Sequence, residues 1–248
     1  ALAFFEDYFG VEYPWNSYGI VAVNGFVWGG MENKGLANLN AARLLWNPTH
    51  PLYKQVQIAG LVAHELAHEW FGNWVTLQWW DDLWLNEAFA TFMTSLFESK
   101  MFGEDYERID NYRWLYTSYF PQDQGVLSHP IVPDHVDTVD ELFDSVTYAK
   151  GVQVVQMLND LIGPEKFQQG IRDYFKKHRL GNASTKDFLS AMENASGINL
   201  NRFSNSWLHQ KGFPKLRLSG NWSAAKKIFT LNVAQLGGPF EFRIRIGG

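Results

Sequence analysis

The residues of this chain best suited to chemistry are two histidines four apart, His64 and His68, in the segment HELAH, with Glu65 between them. Four positions along an α-helix bring two side chains onto one face, so both imidazoles can direct a nitrogen at a common cation. Glu65 lies beside them on the same turn, within reach of a water on that cation but badly placed to be a ligand. Zinc in a catalytic site takes three protein ligands and keeps a fourth place open, and two histidines with one glutamate form one such set. Residues 69–86, eighteen in all, separate His68 from Glu87, which lies in WLNEAFA within the next expected helix. Two helices joined by the short VTLQWWDD connection can pack side by side and carry Glu87 to the open face of the metal. The competing explanation is a solvated, charged helix face. It leaves unexplained why helical periodicity, a downstream glutamate and an upstream GGMEN motif coincide.

Those side chains need a scaffold, and the pattern of the chain supplies one. Residues 1–9 read as a helix stopped by the Gly10 to Pro14 stretch, YGIVAV at 18–23 as a strand, Asn24-Gly25 as a turn and 35–46 as a second strand. Helical patterns cover 53–74 and 83–101, then 104–118, 139–161, 164–178, 185–195 and 200–209, with Gly and Pro at the junctions. Past Pro214 the composition turns to strands at 215–219, 228–234 and 240–246, with turn signals at Gly220-Asn221 and Gly237-Gly238. A boundary near 213 is expected.

Composition narrows the classes of function. A formal charge of −5 leaves no basic footprint for nucleic acid, and 46% apolar residues in 248 allow a substantial core. With no cysteine, a metal must be held by His, Asp or Glu. The apolar run 58–75 contains His64, Glu65, His68 and Glu69, which argues against a membrane span. The chain opens on ALAFFEDYFG, inside an amphipathic helix and without a signal peptide, so a cut amino end and a cytoplasmic location are expected.

HELAH with Glu87, GGMEN at 29–33 and SVTYAKG at 145–151 together resemble the aminopeptidase N family of gluzincin metallopeptidases. MENKG and the LSHPIVPD run at 127–134 are similar to its bacterial alanyl aminopeptidase branch. The resemblance runs from residue 1 to about 213 and continues more weakly to the end. It implies an α+β fold: a thermolysin-like catalytic domain over 1–213, mostly helical after a small N-terminal sheet, and the start of a small β-sandwich domain over 214–248. It implies one Zn2+ per chain, held by His64, His68 and Glu87, with Glu65 as general base and Tyr148 as hydrogen-bond donor to the oxyanion. Glu32 would bind the free α-amino group of a peptide, while Gly29, Gly30, Met31 and Asn33 would line it.

Two positions depart from the common family pattern. Gly30 stands where alanine is frequent, and Trp28, near the pocket for the first side chain, is bulkier than the methionine of some bacterial relatives. The activity implied is removal of amino-terminal residues from peptides, with a broad preference for neutral or basic side chains. The rivals are an endopeptidase or epoxide hydrolase on the same site, and a scaffold-type relative that binds peptides without turnover. Glu32 argues against the endopeptidase, and the complete set of ligands and base argues against the scaffold.

The remaining candidates carry blander readings. His50, His129, His135, His178 and His209 fit no ligand spacing and are assigned structural or surface places. Trp70, Trp74, Trp80 and Trp84 suggest core packing. Thr91 could hydrogen-bond a ligand, and Asp81 and Asp82 read as caps of the second helix.

Overall fold

Helix α1, Leu2–Phe9, buries Phe5 and Phe9, one turn apart, before Gly10 ends it. In the computed structural model, which describes residues 1–238 and 240–242, both rings pack on Trp70 at centroid distances of 6.2 and 5.1 Å. Three short strands follow: β1 Gly19–Val23, β2 Gly30–Met31 and β3 Leu36–Asn40. Their order is β1-β3-β2, with β1 parallel and β2 antiparallel to β3. The strand expected over 35–46 stops at Asn40. Its side chain accepts from Ala42 N at 2.9 Å and caps a one-turn helix, α2 Ala41–Leu44. A capping asparagine followed by two alanines favours the helix over continued alternation.

Two helices frame the site: α3, Leu52–Ala67, and α4, Trp84–Phe102. They run antiparallel, since His64 near the end of α3 faces Glu87 at the start of α4, whereas Gly60 faces Thr94 and Glu98. The helix expected over 53–74 stops at Ala67. Gly72 takes φ 134°, which other residues avoid, and the chain turns into β4, Val75–Leu77, paired in parallel with β5, Gly181–Ala183. Along α4, Leu85, Ala88, Phe89, Phe92 and Met93 enter the main core. Phe89 lies 4.7 Å from both Phe71 and Phe188, and burying such a ring stabilises by roughly 1.5–3 kcal/mol.

Helix α5, Glu104–Trp114, continues through a π-turn at Leu115–Tyr119 into α6, Phe120–Asp123. The single helix expected over 139–161 is three pieces: a 3-10 turn at Val139–Leu142, a π-turn at Val146–Lys150, and α7, Gly151–Ile162. The break falls at Asp144, whose carboxylate accepts from Val146 N and Thr147 N and so starts a new helical segment. At Gly151 an added Cβ would sit 2.7 Å from the Ala88 Cβ, so the absence of a side chain lets α7 approach α4 this closely. That approach brings Tyr148 to the end of α4 that carries Glu87.

Helices α8, Pro164–His178, α9, Thr185–Ser196, and α10, Asn201–Trp207, follow the expected spans closely. Asp82 does not cap α4. It accepts from Thr185 N at 2.8 Å and fastens α9 beside Trp84, whose Nε1 donates to Thr185 Oγ1 at 2.7 Å. Beyond Pro214 lies a hairpin of β6, Lys215–Ser223, and β7, Ile228–Leu236. The turn expected at Gly220-Asn221 is instead strand, because β6 continues to Trp222, which pairs with Phe229. Of the strand expected over 240–246, residues 243–246 lie outside the described residues, and Phe240 packs on Trp207 at 5.0 Å. The whole is mixed and mainly helical, with small sheets. Among the described residues no helix is long and apolar enough to cross a membrane.

Candidate metal centre

The end of α3 and the first turn of α4 bring three donor atoms together. His64 Nε2 lies 3.1 Å from His68 Nε2 and 3.3 Å from Glu87 Oε2, and His68 Nε2 lies 3.3 Å from the same carboxylate oxygen. All three expected ligands therefore meet in one nearly equilateral triangle. His68 is fully buried, and its Nδ1 sits 3.0 Å from the Phe71 carbonyl oxygen. A carbonyl only accepts, so Nδ1 carries a proton and Nε2 is the atom turned to the triangle. Glu32, Glu65 and His68 also offer donor atoms within 4.8 Å of one another, but Nδ1 of His68 is already engaged by Phe71.

The electrostatics of this cluster call for positive charge. Burial alone would lower the His68 pKa, yet the carboxylates of Glu32, Glu87 and Glu65 outweigh it and push the imidazole up to about 10. Burial would raise Glu87, but His68 and His64 hold its carboxyl well below the usual range. Glu65 is raised, first by burial and then by Glu32 and Glu87, against the opposing pull of the two imidazoles. Its carboxylate reaches into the space that a Cβ on Gly30 would fill, so this place for Glu65 depends on glycine there.

The 29–35 loop is tied to the helix that bears the histidines. Asn40 N donates to Gly29 O at 2.9 Å, β2 pairs Gly30 and Met31 with Leu39 and Asn38, and Leu36 N donates to Asn33 O at 2.8 Å. Met31 and Asn33 are exposed on this loop. Glu32 is held through its backbone, its carbonyl accepting from Asn73 Nδ2 at 2.7 Å, while its Oε1 stands 4.0 Å from His68 Nδ1. Glu69, wholly buried, accepts from Gly35 N at 3.0 Å. Neither Glu69 nor Asn73 was foreseen from sequence, and no local pattern signals them, because their partners lie 34 and 41 residues upstream.

Tyr148 stacks on His64, with ring centroids 6.2 Å apart and planes at 20°. Burial first, and then the Glu87, Glu32 and Glu65 carboxylates, push its phenol pKa far up, so the hydroxyl keeps its hydrogen. Thr91 does not touch the Glu87 carboxylate. Its hydroxyl donates to the Glu87 backbone carbonyl at 2.7 Å, a bond within α4. Trp70 and Trp84 are core residues, Trp74 lies at the core margin and Trp80 is 38% exposed. Of the histidines without an expected role, His129 stands behind the Tyr148 turn, 2.8 Å from Asp144.

The same segments are matched in known proteins. A family model described as the peptidase family M1 domain covers residues 1–207. The chain is 39% identical over 238 residues to a glutamyl aminopeptidase of Mus musculus, a match covering 92% of this chain and 25% of that protein. It is 38% identical over 224 residues to aminopeptidase M1 of Arabidopsis thaliana and 40% identical over 216 residues to aminopeptidase M1-A of Oryza sativa subsp. japonica. Each of these matches covers 86% of this chain and 24% of the relative. The chain thus spans about a quarter of the length of the curated relatives it matches. With the helix pair that builds the donor triangle inside the matched region, the chain belongs to peptidase family M1.

Proposed function

We propose that this chain is the catalytic core of a zinc aminopeptidase, with a thermolysin-like catalytic domain over 1–213 and the start of a β-rich domain over 214–248. The family implies a metal cofactor, and the donor set fits zinc. Ligands 2.0–2.1 Å from a tetrahedral centre lie about 3.3–3.4 Å from one another, and the three donor atoms lie 3.1 to 3.3 Å apart. Two nitrogen donors and one carboxylate, with His68 fixed by Phe71, suit that ion. This triangle is the observation that carries the proposal. Zinc on His64, His68 and Glu87 would supply Lewis acidity, polarising a peptide carbonyl and acidifying a water toward a pKa of ~7.

The side chains around the triangle divide the remaining work. Glu65 is buried and raised in pKa, which suits a group that takes a proton from the attacking water and returns it to the leaving amine. Tyr148 keeps its phenolic hydrogen and can donate it to the developing oxyanion, a contribution of about 3 kcal/mol in a dry site. Glu32 pairs with the α-ammonium of a peptide and so selects a free amino end. An internal peptide offers an amide there and would leave the carboxylate unpaired. Gly29, Gly30, Met31 and Asn33 border the bound peptide. The names of the relatives support the same activity.

Metal analysis of the intact protein, joined to turnover of a panel of aminoacyl chromogenic substrates, tests this reading. One zinc per chain and release of amino-terminal residues are expected. A protein that binds no zinc, or that cleaves N-acetylated peptides as readily as free ones, would overturn it.

A further inference from the structure

Asp144 starts the turn that carries Tyr148. Its Oδ1 accepts from Val146 N at 2.9 Å and Thr147 N at 3.0 Å, and its carbonyl accepts from Tyr148 N at 3.1 Å. With three bonds converging on one residue, the place of that carboxylate sets the place of the turn. The other carboxylate oxygen is gripped from behind. His129 Nε2 lies 2.8 Å from Oδ2, Gln122 Nε2 also donates to Oδ2, and Gln122 Oε1 accepts from Ser145 N at 3.1 Å.

His129 belongs to the LSHPIVPD run, to which the chemistry above gives no task. Its second ring nitrogen, Nδ1, faces the Pro130 carbonyl oxygen at 2.7 Å. Both partners of the imidazole are acceptors, so the ring satisfies them together only when both nitrogens carry protons. A neutral ring keeps one bond and turns a lone pair on the other acceptor. Side chains 22% and 17% exposed make this a shielded, charge-assisted contact.

We propose that His129, acting through Asp144, is a positioning residue for Tyr148: the imidazolium fixes the carboxylate that caps the turn, and the turn aims the phenol at the reacting carbonyl oxygen. This rests on the reading of Tyr148 as oxyanion donor. The electrostatics agree with the geometry. Burial pulls the His129 pKa down, but Asp144 and the Pro130 carbonyl outweigh it and hold it above the ordinary 6.5. Asp123 raises it further, and Asp123 is itself paired with the buried Lys150, whose Nζ lies 3.1 Å from its Oδ2.

A double-variant cycle in the metal-loaded intact protein tests the proposal, with kcat, KM and metal content measured for His129→Ala, Tyr148→Phe and the pair. His129→Ala is expected to lower kcat by at least about tenfold, with KM within about twofold and metal content unchanged. In the Tyr148→Phe background the same substitution is expected to cost less than about twofold, because no hydroxyl remains to be aimed. If the alanine variant is recovered unfolded, His129→Gln, which keeps a donor but no charge, is expected to show the same pattern at smaller size. Equal losses in both backgrounds, a loss carried by KM or by metal content, or near-normal kcat in the single variants of His129 would overturn it. Full turnover by Tyr148→Phe alone would overturn the role of Tyr148 and this proposal with it. An impaired Tyr148→Phe with an additive cycle would overturn this proposal alone.

Discussion

Glu32→Gln is the substitution that separates an exopeptidase site from a general one. Glu32 Oε1 stands 4.0 Å from His68 Nδ1 with its side chain 17% exposed, and it shares with Glu65 and His68 a volume whose donor atoms lie within 4.8 Å of one another. The amino nitrogen and carbonyl carbon of a first residue are two bonds apart, about 1.46 and 1.52 Å long. On the proposed reading, the amine of a first residue whose carbonyl faces the donor triangle would lie within reach of this carboxylate. Two unit charges about 4 Å apart attract by roughly 4 kcal/mol at an effective dielectric of about 20. Glu65 and Glu87 supply part of the field and remain in the variant, which leaves an expected loss of about 2–3 kcal/mol, on the order of 10²-fold in kcat/KM. An N-acetylated peptide carries no such charge, so the variant should lose nothing on it. The assay compares kcat/KM on a matched pair of free and N-acetylated peptides, with metal content followed in parallel. Equal losses on both peptides at full metal occupancy would refute the assignment.

Three other substitutions probe the base, the packing and the frame. Glu65→Gln should keep its metal, because Glu65 lies outside the donor triangle, yet lose about 10²- to 10⁴-fold in kcat; atomic absorption with initial rates checks this, and normal turnover removes Glu65 as base. Gly151→Ala sets a Cβ 2.7 Å from that of Ala88. Overpacking should outweigh the gain of about 1 kcal/mol in helix propensity, so a lower melting temperature and a lower kcat, through displaced Tyr148, are expected; an unchanged pair of values contradicts the close approach of α7. Glu98, facing Gly60, is pushed up to about 7 from 4.5, first by burial and then by Asp110 and Glu107. The folded state therefore holds the extra proton between those values, stability falls as pH rises through that window, and the deficit persists above it. Glu98→Gln should then stabilise by up to about 3 kcal/mol near pH 8 and by little near pH 4; denaturant melts showing the same difference at both pH values would exclude this.

What could be read from the residues was what is local. His64 and His68 fall on one face by the pitch of a helix, and Glu87 needed only that the next helix pack beside the first. The spans of α4, α8 and α9 follow from apolar spacing and from Gly, Pro and Ser at their ends, with Ser184 and Asp187 forming a reciprocal cap. In two places where expectation failed, a side chain had taken over a backbone group. Asn40 turns a strand into a one-turn helix, and Asp144 cuts a long helical pattern by capping inside it. Average propensity over a window cannot register a single capping bond.

The parts that stayed hidden are those in which distant segments hold one another, and they explain why the site comes together at all. Glu69 on Gly35 and Asn73 on the Glu32 carbonyl tie the loop to the end of α3, 34 and 41 residues away in sequence. Gly151 against Ala88 brings the Tyr148 turn to α4. His64, His68 and Glu87 come from the end of α3 and the start of α4, and His68 is held by the Phe71 carbonyl just beyond α3. The loop carrying Glu32 and the turn carrying Tyr148 are separate attachments to that pair. On the proposed reading, metal binding would rest on that one helix contact, whereas choice of substrate and stabilisation of the oxyanion would depend on the long-range bonds that join loop and turn to it.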